Sequence, residues 1–221
     1  VQDEEDRRIN CSDHAGSMAD WAEFQETTKQ VYGVDMEVLK KDFDKEQRDY
    51  FLWSSRWREL PAESVLTNPK PVKFYDMMTC TIEDSKGIRA DEKLSSFEFS
   101  VDGDRERGPI SAIAGWFTSD FKSRTDEGGN DAPKLLAPAF LSTGPENGYT
   151  HWGQQVFYFQ SGIPLMKGQT TNLKGTLEMT RTKENARLYN CRIKHTATRT
   201  AKSSGNVLNS SGESEQVYMI P

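Results

Sequence analysis

Hydrophobic positions change their period once along the chain. Before residue 50 they recur at helical spacing: Trp21, Phe24, Thr28, Val31 and Tyr32 fall on one stripe of an α-helix. Asp20 is a predicted N-cap, with Glu23 closing a capping box. Gly33 supplies the stop, and Asp35 caps a second segment in which Met36, Leu39 and Phe43 share a face. The prediction is a helical hairpin about a glycine. Its apolar stripe is flanked by acidic residues and must be buried, on its own domain or on a partner.

From about residue 70 the period is two. Val72, Phe74, Met78, Cys80 and Ile82 alternate with polar residues, apart from Asp76 on the apolar side, and Phe97, Phe99 and Val101 do the same. Further strand-like runs cover 110–121, 154–160, 173–180, 187–197 and 215–220, separated by turn signals such as Asp102-Gly103, Gly144-Pro145 and Ser204-Gly205. Short strands without intervening long helices predict a mainly β fold, an antiparallel barrel or sandwich behind the helical hairpin. The polar stretches 122–134 and 201–214 read as long loops. The domain reading is therefore a helical arm over 1–50 and a β-domain over 51–221.

Charge divides the chain at the same place. The 221 residues carry a net charge of −6, but residues 1–50 alone hold 14 acidic and 7 basic side chains, leaving the rest close to neutral. That argues against a generally basic nucleic-acid binder and for an acidic arm that meets basic partners. No run approaches the roughly 18 apolar residues of a spanning helix, so no membrane partner is predicted. The first residues, Val-Gln-Asp-Glu-Glu, are no signal peptide, and a start at Val1 suggests part of a longer chain. Three scattered cysteines, Cys11, Cys80 and Cys191, form no disulfide framework and favour a reducing compartment, cytoplasm or nucleus. Cys11 and His14 have a ligand-like spacing, but no second pair completes a zinc site, so no metal is predicted. Asn10-Cys-Ser and Asn209-Ser-Ser match a glycosylation acceptor that nothing else supports.

Cofactor chemistry has no visible home here. There is no glycine-rich strand-to-helix turn, and Gly128-Gly129 sits among acids that would repel a phosphate. No serine has an adjacent base, and Cys80 has no cationic neighbour in sequence. The informative stretch is 141–160, where a Gly/Pro/Asn loop delivers Thr150, His151 and Trp152 to the start of a strand near Gln154. A Trp beside a His can hold a planar cation; the alternative is that Trp152 plugs the end of a barrel.

This wording resembles a known family. Ser142-Thr143-Gly144-Pro145 followed by Tyr149-Thr150-His151-Trp152, Gln154 and Val156-Phe157-Tyr158 is similar to the THW loop of the protein arginine methyltransferases. Val31-Tyr32-Gly33-Val34-Asp35-Met36, Ala112-Ile113-Ala114-Gly115-Trp116-Phe117 and Lys174-Gly175-Thr176-Leu177 resemble the family's other signatures, in the family's order. The resemblance implies the C-terminal β-barrel and dimerisation arm of an S-adenosyl-L-methionine-dependent enzyme, with the Rossmann-like cofactor domain absent and no cofactor bound by this chain alone. It implies that His151, Trp152 and Thr150 support the active-site wall, and that Trp21, Phe24, Val31, Tyr32 and Met36 dock the arm on a second subunit, identical or paralogous. Arg/Gly-rich proteins are the implied substrates. Glu4-Glu5, Glu59 and Glu63 lack the context of the family's substrate-clamping glutamates. Two departures stand out: Gly153, where many relatives carry a long side chain, and the tryptophans Trp53 and Trp57.

Two other functional readings stay open. One is an inactive regulatory partner of an active methyltransferase; the other is a plain β-sandwich module that binds a peptide or sugar. Residues 180–202 hold seven basic side chains against Glu184, and alternation puts Arg192 and Lys194 on one face. That stretch is a solvated strand edge or a patch for RNA or an acidic protein.

Overall fold

A computed structural model describes residues 12–104, 108–121, 139–185 and 187–220. Cys11, Glu4-Glu5, Gly128-Gly129 and the whole 122–134 stretch lie outside the described residues. Two helices open the fold, α1 (Ser12–Tyr32) and α2 (Lys40–Trp53). The strands are β1 (Arg56–Arg58), β2 (Gly87–Ile88), β3 (Ser96–Asp102), β4 (Ile110–Gly115), β5 (Thr118–Phe121), β6 (Ala139–Ser142), β7 (Gln154–Ile163), β8 (Gln169–Arg181), β9 (Tyr189–Ala201), β10 (Val207–Ser210) and β11 (Ser214–Ile220). The mainly β, antiparallel class with an N-terminal helical hairpin is the one the sequence predicts.

The chain clusters into two compact units. The first draws on Val1–Arg56, Thr67–Ile113 and Phe157–Pro221, the second on Trp57–Leu66 and Ala114–Val156. The first is built on β8 and β9, antiparallel over 13 residues each, from Gln169↔Ala201 to Arg181↔Tyr189. Each of these strands takes two shorter partners in series on its free edge. β3 and β2 pair with β8, and β11 and β10 with β9. Alternation then sorts the side chains. Cys191, Ile193, His195 and Ala197 of β9 turn into the core, with Leu173 and Leu177 of β8, Phe97 and Val101 of β3, and Tyr218 of β11. Gly175 stands where the sheet is tightest: a Cβ there would lie 2.0 Å from the Lys194 carbonyl oxygen and 2.7 Å from Phe97.

The helical hairpin is anchored at one end. Phe51 and Leu52 are buried, and the Gln216 side-chain amide of β11 donates to the Leu52 carbonyl at 2.6 Å and to the Tyr158 carbonyl at 3.2 Å. Tyr218 Oη also donates to the Tyr158 carbonyl, and the Ser55 amide donates to the Met219 carbonyl. Along the hairpin, Trp21 stacks on Phe43 at 4.3 Å and Ser17 donates to Gln47.

Four local expectations are corrected. Asp20 is no N-cap, because α1 already runs from Ser12. The intervening Ser-Asp-His-Ala-Gly is weakly helical, but His14 is buried edge-on against Phe51, and tertiary packing overrides propensity. Gly33 does end the helix, at φ +68, and Asp35 does cap the next turn through the Glu37 amide. The run at 72–82 forms turns, not a strand. Asp76 accepts the Met78 amide on its side chain and the Thr79 and Cys80 amides on its carbonyl, while the Asp84 carboxylate takes the Thr81 amide and hydroxyl. Phe74, Met77, Met78 and Ile82 are consequently exposed. The 110–121 run breaks into β4 and β5. Finally, 201–214 is no simple loop, since it contains β10, paired with β9 across an irregularity between Val207 and Asn209. All four β10 residues are exposed, so no alternation betrays the strand.

His195 supplies a stability test. Its ring lies 4.5 Å from Phe159, and Nδ1 is buried without a hydrogen-bond partner. Burial lowers its pKa below the ordinary histidine value, so the unfolded chain binds the proton more readily than the folded one. Stability should be fullest above about pH 6.5 and fall as the pH drops from there toward the folded pKa. Urea unfolding across that window should show His195→Phe losing less stability on acidification than the wild type.

Candidate functional site

The second unit brings the loop residues together. β5 and β6 form a hairpin with Thr118 opposite Ser142 and Phe121 opposite Ala139. Thr143, fully buried, extends it: its amide and hydroxyl both donate to the Phe117 carbonyl, and the hydroxyl accepts the Phe117 amide. The Gly144 amide bonds back to the Ser142 hydroxyl, and one helical turn follows over Pro145–Asn147. Tyr149 emerges exposed, and the chain folds into a tight turn in which the Gly153 amide donates to the Thr150 carbonyl at 3.2 Å.

That turn carries the residues picked out from the sequence. His151 and Trp152 are exposed and Thr150 is half-buried, so Trp152, at 53% exposure, does not plug a core. The Phe117 ring meets Trp152 edge-on at 5.6 Å. His151 lies 6.2 Å from the Trp152 ring. The product is an aromatic ledge with one imidazole at its side, able to pack against an apolar or planar cationic group.

Two residues that sequence reasoning left without a role hold the turn. Gln154 is 2% exposed; its Nε2 donates to the Thr143 carbonyl at 2.7 Å and its Oε1 accepts the Leu60 amide at 2.8 Å. A polar side chain heading the apolar run Val156–Phe159 was the available signal. Trp57 donates from Nε1 to the Trp152 carbonyl at 2.7 Å. No local pattern could reveal that contact between residues 95 apart.

The arm residues divide. Phe24, Val31 and Tyr32 are exposed, together with Val34, Val38 and Leu39, which makes the hairpin tip an apolar surface. Met36 is half-buried, while Trp21 is committed to Phe43. Three of the seven basic side chains of the stretch 180–202 meet acids. Arg192 lies 3.8 Å from Glu178 and 3.5 Å from Glu215, Lys194 is 3.0 Å from Glu215, and Lys202 bridges Asp102 and Asp104. Arg192 and Lys194 do share a face, but the pairing favours a solvated edge over a nucleic-acid patch. Among the described residues no group of three His, Cys, Asp or Glu could hold a metal, and no helix is long and apolar enough to cross a membrane. Cys191 is fully buried, and burial pushes its thiol up to about 12, far from a reactive nucleophile.

Comparison with known proteins places these features. A family described as the arginine methyltransferase oligomerization subdomain matches residues 9–200. Protein arginine N-methyltransferase PRMT10 of Arabidopsis thaliana is 34% identical over 194 residues, covering 86% of this chain and 46% of the relative. Its counterpart in Oryza sativa subsp. japonica is 35% identical over 173 residues, covering 78% and 42%. The crystal structure of the Arabidopsis protein, in an open conformation, is similar over 100% of this chain and 57% of that one, with a TM-score of 0.61 and 29% identity. The chain thus spans about half the length of the curated relatives it matches.

Gln154 offers a direct check on the site's construction. Gln154→Leu strips partners from the Thr143 carbonyl and the Leu60 amide, which should cost about 1–3 kcal/mol in a denaturant titration.

Proposed function

This chain belongs to the arginine methyltransferase family, and we propose that it supplies the substrate-facing barrel and the dimerisation arm of an S-adenosylmethionine-dependent protein arginine N-methyltransferase. The observation that carries the proposal is the 150–153 turn. In a chain matched to that family, Thr150, His151 and Trp152 stand on a braced, exposed turn rather than in a core.

The residues around the turn are aromatic, amide and hydroxyl groups, without the glycine-rich strand-to-helix turn that cradles an adenosyl cofactor. S-adenosylmethionine, which supplies the methyl group, does not fit these residues. The chain's own contribution is positioning. The Trp152 and Phe117 rings present a ledge on which the flat face of a substrate guanidinium stacks, and His151 offers a ring nitrogen for a hydrogen bond beside it. Substrates of this chemistry are protein arginine side chains, as in Arg/Gly-rich segments. The apolar tip of the arm, with Phe24, Val31, Tyr32 and Val38, is the surface for a second methyltransferase subunit, identical or paralogous.

Both halves of the proposal can be tested in the intact transferase. Trp152→Ala should leave the melting temperature nearly unchanged, well short of the roughly 3–5 kcal/mol lost when a buried aromatic is truncated. The same variant should lower methyl transfer to an Arg-Gly peptide by at least about tenfold; a folded variant with wild-type turnover would refute the role of the turn. Phe24→Ser with Val31→Ser should shift sedimentation at low concentration toward the monomer. Trp21→Ala is the poorer probe, because it also unstacks Phe43 within the hairpin.

A further inference from the structure

We propose that Trp57 and Gly153 form a mutually dependent pair that positions the 150–153 turn, with Trp57 acting as a positioning residue for methyl transfer. The inference rests on the reading of that turn given above.

The geometry is specific. Trp57 Nε1, the only donor of its side chain, is spent on the Trp152 carbonyl at 2.7 Å. Gly153, the next residue, has φ +53, in the left-handed region that favours glycine. A Cβ there would stand 2.6 Å from Trp57 Nε1, 2.7 Å from Trp57 Cε2 and 2.8 Å from the Arg58 carbonyl oxygen. All three are closer than real Cβ contacts come, and two belong to the indole. The indole can therefore reach the Trp152 carbonyl only because residue 153 has no side chain. Conversely, residue 153 can be bare without loosening the turn because the indole fills the space.

The brace matters because Trp152 has no core to hold it. Its ring is half-exposed and touches Phe117 along one edge, so its direction follows from the backbone of residues 152 and 153. Trp57 is itself 51% exposed, so the barrel core does not depend on it. A side chain that contributes little burial yet fixes a carbonyl beside the substrate ledge is suited to orienting the ledge.

Three variants of the intact transferase decide the matter. Trp57→Phe keeps a ring but removes the donor, and Gly153→Ala adds the clashing methyl. Each should lower kcat on an Arg-Gly peptide by about tenfold, within the range that a misplacement of about 1 Å can produce. KM for S-adenosylmethionine should stay near wild type in both, and so should the melting temperature of Trp57→Phe, whereas Gly153→Ala also meets the Arg58 carbonyl and a left-handed φ and so loses some stability. The double variant should lose less than the product of the two single losses, since both break one contact. In a proton–nitrogen NMR spectrum of this chain, the Trp57 indole N–H should exchange slowly, and the Trp152 indole signal should move in both single variants. A purely structural role would lower the melting temperature of Trp57→Phe and leave the Trp152 signal of the folded fraction unmoved, which would overturn the proposal. If Trp152→Ala abolishes turnover while Trp57→Phe and Gly153→Ala keep it, the pairing fails and the reading of the turn survives. If Trp152→Ala also keeps full turnover, the functional reading falls and this proposal falls with it.

Discussion

The pairing of β8 with β9 is the constraint on which the first unit depends. Thirteen residues in each strand pair without a break, so the register of one ribbon sets the inward and outward faces of every strand that joins it. A slip by one residue would expose Cys191, Ile193, His195 and Ala197 together and bury Arg192 and Lys194. Gly175 keeps the ribbon in place at its middle, because no larger residue allows the Lys194 carbonyl and the Phe97 ring to approach as they do. The ion pairs of Arg192 and Lys194 with Glu215 decorate the outer face. At their exposure they contribute solubility and register more than stability.

Two buried glutamines perform the same task in different places. Gln216 joins the Leu52 and Tyr158 carbonyls and accepts the Gln160 amide, so the end of α2 is tied to its sheet through one side chain. Gln154 joins the Thr143 carbonyl to the Leu60 amide and ties the 143–144 loop to the chain that follows β1. A primary amide suits both positions because it donates and accepts at once. Burying it is tolerable only because these backbone groups need partners as much as it does.

The arm and the turn use aromatic surface differently. In the arm, Trp21 and Phe43 are spent on holding two helices together, and the exposed tip is left to aliphatic and smaller aromatic groups. At the turn, Trp57, Trp152 and Phe117 all stay near half exposure, so their faces are available to a ligand while their edges and the Trp57 N–H fix the local geometry.

The sequence by itself determined the class of fold, the helical hairpin, its glycine stop and the Asp35 cap, because these follow from periodicity and local hydrogen bonding. It also pointed to the family, through motifs that come in the family's order, but left open whether Trp152 stands exposed or plugs the end of a barrel. Tertiary structure decided the rest. The alternating run at 72–82 had the period of a strand, but Asp76 and Asp84 offered the backbone nearer partners. β10 was invisible because a strand with no buried residue has no alternation to display. Asp20 looked like a cap until the packing of His14 on Phe51 drew the helix two turns further back. The partners of Gln154 and Trp57, and the acids that answer Arg192 and Lys194, come from distant parts of the chain. Periodicity reports which face a residue occupies; which neighbour it meets there depends on strand register and loop closure, which act over separations no local pattern spans.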